Sequence, residues 1–536
     1  MLLLTAFSML LLTFNALAFL TNGPLHTRTK RSFDVTKGVY TPLGFANGTV
    51  SNGVARFAVR YASAARWQAA TLANAWRMPD GDPASPPPSC PQSSVDSSQY
   101  SEDCLFLILY VPVAAAASGN GLNTFAWIHG GSFYYGAATN PGLDGSTFAL
   151  STGSIVVTLQ YRLGVLGFIP PHSQNGGINL GVKDVTTALS FLRSVLPSFH
   201  GNPDGITVAG QSSGGMMVRA LMAAPTAAKL FKNGIIQSDP MDFNFLPISA
   251  YNILQSWFYS KLPCSPATCP TSQLLSTQSY LLGNASTISP AAGSAEPIRP
   301  SVDGQFITTS LSRNSYPSLL KPLLVTTVMD EAGFLIGETL PLGFPEQNYV
   351  PIVQATFGNR TATILASPWY NVSSMKVVPG QPDDRTRETL SVLGSDATWR
   401  CPSWSFARSY AARGGNVYVG LFRRGATYAG NDASDFCTVG GRVCHQDDIY
   451  ITFGTTPSPT PDQQTLTAEI QARWGAFVKT SNPNPSNANL GEWCATTSTA
   501  VKAIQFGLGG GIAAEDACRR SFWGNAVLFD WQIYGV

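Results

Sequence analysis

One glycine-flanked serine motif carries the residue types that point most directly to chemistry. Gly210-Gln211-Ser212-Ser213-Gly214 follows the β-branched residues 206–209 and precedes the helix-forming residues 216–224. A strand that reverses into a helix over so few residues brings backbone close to the serine on both sides, which requires glycine at positions 210 and 214. The motif therefore predicts a strained turn that presents the Ser212 hydroxyl as a nucleophile.

A serine hydroxyl needs a general base, and histidine is scarce in this chain. In the hydrolase chain order, the base lies far C-terminal to the serine and follows the acid. Only His445 lies downstream of Ser212, in a loop before a predicted helix, so His445 is the candidate base. The histidines are His26, His129, His172, His200 and His445.

An acid that orients the histidine should end a strand between these two residues. Asp330 and Glu331 follow the apolar run 323–329. Either carboxylate could bind the imidazole, fix its tautomer and stabilise its cation. The residues alone do not choose between them, and the alternative is that both are solvated charges at a strand end.

A second glycine motif, His129-Gly130-Gly131-Ser132-Phe133, follows the apolar residues 124–128. Without side chains at positions 130 and 131, the backbone can approach a substrate and direct N–H groups at an oxyanion. The N–H group of Ser213 would join them. A simple turn is the alternative interpretation of the glycine pair.

Apolar, β-rich runs alternate with helical stretches along the chain. Runs with almost continuous hydrophobicity are typical of strands that are covered on both faces, so we expect an α/β fold with a large, mostly parallel sheet. Residues 182–196 and 213–224 are predicted helices that cover the sheet, and Pro-rich or Ser/Thr-rich segments at 83–97, 265–276, 286–300 and 455–465 are predicted loop insertions. The predicted strands are residues 106–111, 124–128, 155–160, 206–209, 234–237, 323–329, 417–421 and 526–530.

The N-terminus has the pattern of an export signal. Residues 1–18 are Leu-rich and end in Ala16-Leu17-Ala18, so we expect a signal peptide there, with an amphipathic or membrane-anchoring N-terminus as the alternative. Residues 19–37 form a predicted N-terminal extension, in which Lys30-Arg31 is a candidate propeptide cleavage site. Residues 38–536 are then a single catalytic domain.

Cysteines and glycosylation sequons indicate the same compartment. Nine cysteines favour an oxidising route in which disulfides form. Cys264 and Cys269 are close enough to close a small loop, and a bond from Cys437 to Cys444 would brace the His445 loop. Nine is odd, so one thiol stays free or pairs between chains. The predicted N-glycosylation sites are Asn47, Asn284, Asn359 and Asn371.

The charge pattern excludes one class of partner. Only 12% of the residues are charged, the formal net charge is +2, and no basic run is interleaved with aromatic residues. Nucleic acid is therefore not an expected partner.

Together the motifs resemble those of the type-B carboxylesterases, the family of cholinesterases, fungal lipases and the catalytically silent neuroligins. The similarity runs from about Gly38 to the C-terminus. It implies an α/β-hydrolase fold, and it selects Glu331 as the acid and Gly131, Ser132 and Ser213 as oxyanion donors. The motifs that carry it are Ser101-Glu-Asp-Cys104, His129-Gly-Gly-Ser-Phe, residues 161–168 from Tyr161-Arg162 onward, the serine motif, Asp330-Glu331 and Cys444-His445.

The resemblance also implies structural partners. It implies ion pairs of Arg66 with Glu102 and of Arg162 with Asp184, and it places Ser238 in support of Glu331. For the cysteines it implies a bond from Cys90 to Cys104, and it pairs Cys401 with Cys518, although Cys494 is an alternative partner for Cys518.

Departures from the family pattern bear on the substrate. Family members with cholinesterase activity carry Glu before the nucleophile, whereas Gln211 is neutral and would not attract a choline head group. The loop from Cys90 to Cys104 is short and lacks tryptophan, which disfavours both a choline site and an interfacial lid. Asp239 stands where the family has glycine, near the expected acyl side, and could bind substrate or face solvent.

The expected protein is a secreted serine carboxylic-ester hydrolase that acts through an acyl-enzyme. Its expected partner is a small-molecule or lipid-like ester, with no metal, cofactor or stable membrane anchor. Two alternatives are an interfacial lipase and a catalytically silent binding ectodomain.

Overall fold

A computed structural model describes residues 33–119, 121–172, 177–311, 319–377, 382–432, 434–439, 441–486 and 488–523. The residues from Asp34 onward belong to one compact unit. The predicted signal peptide, the Lys30-Arg31 site and the predicted strand at 526–530 lie outside the described residues. None of the described helices combines the length and apolar character that a membrane span needs.

A large twisted sheet dominates the fold, with strand order β14-β13-β12-β11-β10-β8-β9-β7-β4-β3. The six pairs among its strands from β14 to β9 are parallel, whereas β3, β4 and β7 join antiparallel at one edge. The strands are β1 (Val39–Thr41), β2 (Gly44–Ala46), β3 (Thr49–Ser51), β4 (Val54–Arg60), β5 (Ala62–Ser63), β6 (Thr71–Leu72), β7 (Phe106–Pro112), β8 (Leu122–Ile128), β9 (Ile155–Leu159), β10 (Gly201–Gln211), β11 (Asn233–Gln237), β12 (Leu323–Val328), β13 (Val417–Phe422) and β14 (Ile504–Phe506).

The central strands are buried on both faces, as their sequences predict. Every residue of β9, β11, β12 and β13 is buried. A strand covered by helices on both sides needs apolar residues at most consecutive positions, which explains the nearly continuous hydrophobic runs. The α/β prediction is confirmed, and the parallel order brings the carboxyl ends of β8, β10, β11 and β12 to the same edge of the sheet.

Helices fill the connections and cover the sheet. Helix α5 follows β10 directly and is buried at every position. Three segments predicted as loops are partly helical, because α8 runs from Thr271 to Ile288 and so enters two of them, and α16 begins at Pro461 behind a capping box of Thr460 and Gln463. The helices are α1 (Val113–Ala117), α2 (Ser146–Thr152), α3 (Gly164–Phe168), α4 (Leu180–Val195), α5 (Ser213–Ala223), α6 (Pro225–Ala228), α7 (Ile248–Lys261), α8 (Thr271–Ile288), α9 (Gly333–Thr339), α10 (Tyr349–Phe357), α11 (Thr361–Leu365), α12 (Arg385–Gly394), α13 (Cys401–Ala411), α14 (Ala429–Asp432), α15 (Asp447–Phe453) and α16 (Pro461–Thr480).

Four disulfides tie loops to this scaffold. Cys401 forms a disulfide with Cys518, so the pairing that the resemblance implied is confirmed and the alternative pairing of Cys494 with Cys518 is wrong. Cys494 is the free, half-buried thiol of the described residues. The other bonds join Cys90 to Cys104, Cys264 to Cys269 and Cys437 to Cys444.

Two ion pairs fix the loops around the sheet, as the resemblance implied. The Arg66 guanidinium forms a bidentate pair with Glu102, and one of its contacts is a 2.9 Å bond from Nε. The Arg162 guanidinium donates to Asp184 at 2.6 and 2.7 Å, and both residues are buried. A buried arginine needs such a partner, because an unpaired charge would cost several kcal/mol to remove from water.

Candidate active site

Ser212 occupies a strained turn between β10 and α5. Its backbone has φ 60° and ψ −128°, outside the regions that L-residues prefer. Its N–H group donates to the Gln237 carbonyl of the neighbouring strand β11 at 2.9 Å. The serine is 7% exposed, so the turn holds its side chain in an enclosed site at the edge of the sheet.

The glycines around this turn permit close backbone contacts. A Cβ atom at Gly210 would lie 2.3 Å from the Gly214 carbonyl oxygen, and one at Gly214 would lie 2.2 Å from the Ile128 oxygen. A Cβ atom at Gly130 would lie 3.1 Å from the Ser212 Cβ. The loop after β8 therefore lies directly against the serine, which is the close approach that both motifs predicted.

Glu331, and not Asp330, contacts the histidine. His445 Nδ1 lies 2.6 Å from Glu331 Oε2, across 114 residues of sequence. The other carboxylate oxygen, Oε1, accepts the N–H group of Val328 at 2.8 Å, which fixes the side chain. Both carboxylates are buried, so the interpretation of solvated strand-end charges is wrong.

Asp330 positions the loop that carries His445. Its Oδ2 accepts the Val443 N–H at 2.9 Å, and its own N–H donates to the Val443 carbonyl at 2.9 Å. Burial raises the pKa of Asp330 to about 6. The Cys437–Cys444 disulfide holds the same loop, so the loop that carries His445 is fixed both by its hydrogen bonds to Asp330 and by a disulfide.

The second ring nitrogen of His445 faces Gln211. The two Nε2 atoms are 3.3 Å apart, so with its Nδ1–H directed to Glu331 the ring can accept an N–H bond from the amide at Nε2. Burial alone would lower the pKa of His445, but the bond to Glu331 and the negative charges of Glu331, Asp448 and Glu296 outweigh it and raise the pKa above its ordinary value.

The loop after β8 has the geometry of an anion-binding turn. Gly131, Ser132 and Phe133 all have positive φ, at 111°, 49° and 67°. A Cβ atom at Gly131 would lie 2.1 Å from the Tyr135 carbonyl oxygen, so only glycine fits there. Among the described residues, no protein group accepts the N–H groups of Gly131, Ser132 or Ser213, which leaves three donors beside Ser212.

His129 is a structural residue of this loop. Its Nδ1 lies 2.8 Å from the Gly130 carbonyl oxygen, and its ring stacks on Tyr161 at 4.6 Å. Burial lowers the pKa of His129 to about 4, so the ring is neutral at physiological pH. It therefore packs the turn in place and carries no charge into the site.

Comparison with known proteins shows the family to which the chain belongs. The sequence model of the carboxylesterase family matches residues 36–519. The chain belongs to the carboxylesterase family. It is therefore a carboxylic-ester hydrolase, related to enzymes with that activity.

Several esterases are similar to this carboxylesterase. Para-nitrobenzyl esterase of Bacillus subtilis (strain 168) is 41% identical over 158 residues, which are 28% of this chain and 32% of that relative, about a third of its length. Carboxylesterase 5A of Mus musculus is 27% identical over 409 residues, 73% of this chain and 68% of the relative. Acetylcholinesterase of Bungarus fasciatus is 27% identical over 432 residues, 76% and 68% of the two chains. A solved PNB esterase structure has a TM-score of 0.71 at 24% identity, covers 89% of this chain and 97% of its own, and shows the same fold.

The structure of the carboxylesterase does not show the expected support of Glu331 by Ser238, and it excludes one of the two interpretations of Asp239. Ser238 was expected to support Glu331, but its Oγ is buried with no hydrogen-bond partner among the described residues, and the Val328 N–H takes that supporting role. Asp239 does not face solvent. It is 1% exposed, and Arg219 donates to it at 2.8 and 3.1 Å.

Sequence reasoning missed several residues behind the histidine. Asp448 is buried near His445, and burial raises its pKa to about 6 while the Gln237 amide donates to it at 2.7 Å. The Trp399 ring lies 5.6 Å from the His445 ring. The pair of acids that follows His445-Gln446 in the sequence was the available signal for Asp448, but Trp399 reaches the site through tertiary packing alone.

Proposed function

We propose that this carboxylesterase hydrolyses esters through an acyl-enzyme on Ser212, with His445 as the general base and Glu331 as the residue that orients it. The observation that carries the proposal is the 2.6 Å contact between His445 Nδ1 and Glu331, beside a serine in a strained turn. An acid that accepts Nδ1–H leaves the lone pair on Nε2, which faces the Gln211 amide in this structure and can take a proton from serine.

The reaction follows from these positions. Ser212 Oγ attacks the ester carbonyl while His445 Nε2 accepts its proton, and the three free N–H groups of Gly131, Ser132 and Ser213 receive the developing negative charge. His445 then returns the proton to the departing alcohol. Water then attacks the acyl-enzyme by the same steps, with His445 as the base, and the carboxylic acid is released. Preorganised donors of this kind are each worth about 3–4 kcal/mol of barrier.

The proposal is tested by labelling with a fluorophosphonate and locating the adduct by mass spectrometry. The adduct is expected on Ser212, together with hydrolysis of nitrophenyl esters from acetyl to palmitoyl that defines the preferred chain length. A folded protein with neither adduct nor turnover would favour the silent binding ectodomain instead.

Secretion is part of the proposal. Residues 1–18 have the pattern of a signal peptide, and four disulfides suit an oxidising compartment. Of the sequons, Asn47, Asn359 and Asn371 are exposed, whereas Asn284 is half-buried in α8 and its amide donates to the Tyr280 carbonyl.

The Cys90–Cys104 loop is expected to act as a wall and not as a lid. The buried Gln92 amide donates to the Gly136 carbonyl at 2.9 Å and accepts the Gly136 N–H at 2.9 Å, so the loop is tied to the segment after the oxyanion turn. Activity on tributyrin should therefore rise smoothly through its solubility limit. A jump in rate when emulsion droplets form would favour the interfacial lipase.

The pH dependence follows from the raised pKa of His445. The base must be neutral to accept the serine proton, so kcat/KM should fall on acidification with a midpoint above the ordinary histidine value of about 6.5. Asp448→Asn removes one negative charge and should move that midpoint to lower pH. A wild-type midpoint at or below the ordinary value would contradict this account of the site.

A further inference from the structure

Glu296 is a buried carboxyl group near the oxyanion turn that the proposed reaction does not use. It lies in the segment between α8 and β12, with a positive φ of 46°. Its Oε2 is buried and has no hydrogen-bond partner among the described residues. Buried carboxylate oxygens are almost always hydrogen-bonded, so an orphan of this kind calls for an explanation.

Several groups of the site change the pKa of the Glu296 carboxyl. Burial and the negative charge of Asp239 raise its pKa to about 7, while the positive charges of Arg299 and His445 and a hydrogen bond with the Ser132 side chain oppose that shift. The negative charge of Glu296 in turn contributes to the raised pKa of Tyr134, Tyr135 and Tyr161. The carboxyl is therefore within electrostatic reach of both Ser132 in the oxyanion turn and His445.

The two nearby arginines form hydrogen bonds to other groups. The Arg299 guanidinium donates to the carbonyl oxygens of Asn244, Ala292 and Glu296 itself. Arg219 is bound to Asp239 and to the Phe243 carbonyl. Neither arginine donates to the Glu296 carboxyl, so no described cation satisfies it directly.

Glu296 as a whole residue has about the same small exposed fraction as the nucleophile, at 9% against 7% for Ser212. Its Oε2 atom is itself buried, so a hydroxyl group that projects from near the scissile carbonyl would bind this oxygen with a small shift of the side chain.

We propose that Glu296 is a specificity-determining residue that binds a hydroxyl group carried by the ester substrate close to its scissile carbonyl. This proposal rests on the proposed function. A hydroxyl group suits the site better than an ammonium group, because near neutral pH the carboxyl is partly protonated and a hydroxyl can donate to the carboxylate or accept from the acid. Arg299 and His445 also disfavour a cation there.

The test compares matched esters by acid titration at constant pH. Ethyl 3-hydroxybutyrate against ethyl butyrate places the hydroxyl on the acyl side, and 2-hydroxyethyl butyrate against ethyl butyrate places it on the alcohol side. The wild type is expected to favour one hydroxylated ester by about tenfold or more in kcat/KM, the usual effect of a hydrogen bond to a charged group.

Two variants assign that preference to the carboxyl. Glu296→Leu should abolish the preference, and the nearly isosteric Glu296→Gln should reduce it, with fluorophosphonate labelling of Ser212 as the check that each variant is folded. Wild-type rates within twofold across both pairs, or a preference that survives in labelled Glu296→Leu and Glu296→Gln, would overturn the proposal. Wild type that cleaves none of the esters and takes no label would instead overturn the proposed function.

Discussion

Replacing Ser212 by alanine is expected to lower kcat for nitrophenyl acetate by about 10⁴-fold or more, because the residual rate would come only from the oxyanion donors and substrate binding. The variant should remain folded, since alanine fits the space of serine and the backbone bond of residue 212 to Gln237 is retained. Rates measured beside circular-dichroism melting curves would separate lost chemistry from lost structure.

Ser213→Ala is the matched control for this loss. Ser213 is fully buried at the start of α5, and its proposed contribution is a backbone N–H that alanine retains. Its loss of kcat should therefore be far smaller than that of Ser212→Ala. Equal losses in the two variants would mean that the turn as a whole, and not the hydroxyl of residue 212, determines the rate.

The central sheet was predictable because its strands are encoded locally. Residues 417–421 and 323–329 are nearly continuous apolar runs, and the structure has strands at Val417–Phe422 and Leu323–Val328. The antiparallel strand Val54–Arg60 was missed, since Arg56 and Arg60 interrupt its pattern at half-buried positions. The short edge strand Ile504–Phe506 has too few residues to give a clear signal.

The candidate site was predictable where chemistry restricts the choice of residue. Ser212 is marked by its glycines, and His445 by the scarcity of histidine. Contacts formed only by tertiary packing were not predictable: the buried pair of Arg219 and Asp239 joins a helix to a strand end, and Glu296 reaches the site from a separate segment. No local sequence pattern predicts such contacts, because they depend on how distant elements pack.

Glu331→Gln is expected to lower kcat by about 10⁴-fold, a loss comparable to that of Ser212→Ala, because it changes the tautomer of His445. Glu331 accepts the Nδ1 proton at 2.6 Å, whereas a glutamine amide can donate to Nδ1 and leave the proton on Nε2. A protonated Nε2 cannot accept the serine proton. The acid limb of the pH profile should also shift, since the charge that raises the pKa of His445 is gone.

Asp330→Asn is the adjacent control, and it tests the choice between two neighbouring carboxylates. Asp330 accepts a bond from the Val443 N–H, and an asparagine carbonyl can accept the same bond, so the loop should stay in place. With burial raising the pKa of Asp330 to about 6, the native side chain gives up part of its charge near neutral pH, and a neutral amide is a modest change. We expect kcat within about tenfold of wild type and a change in stability of about 1 kcal/mol. If Asp330→Asn were instead the variant that loses activity, the histidine would be oriented through its loop and not through Glu331, because Asp330 contacts the loop whereas Glu331 contacts the ring.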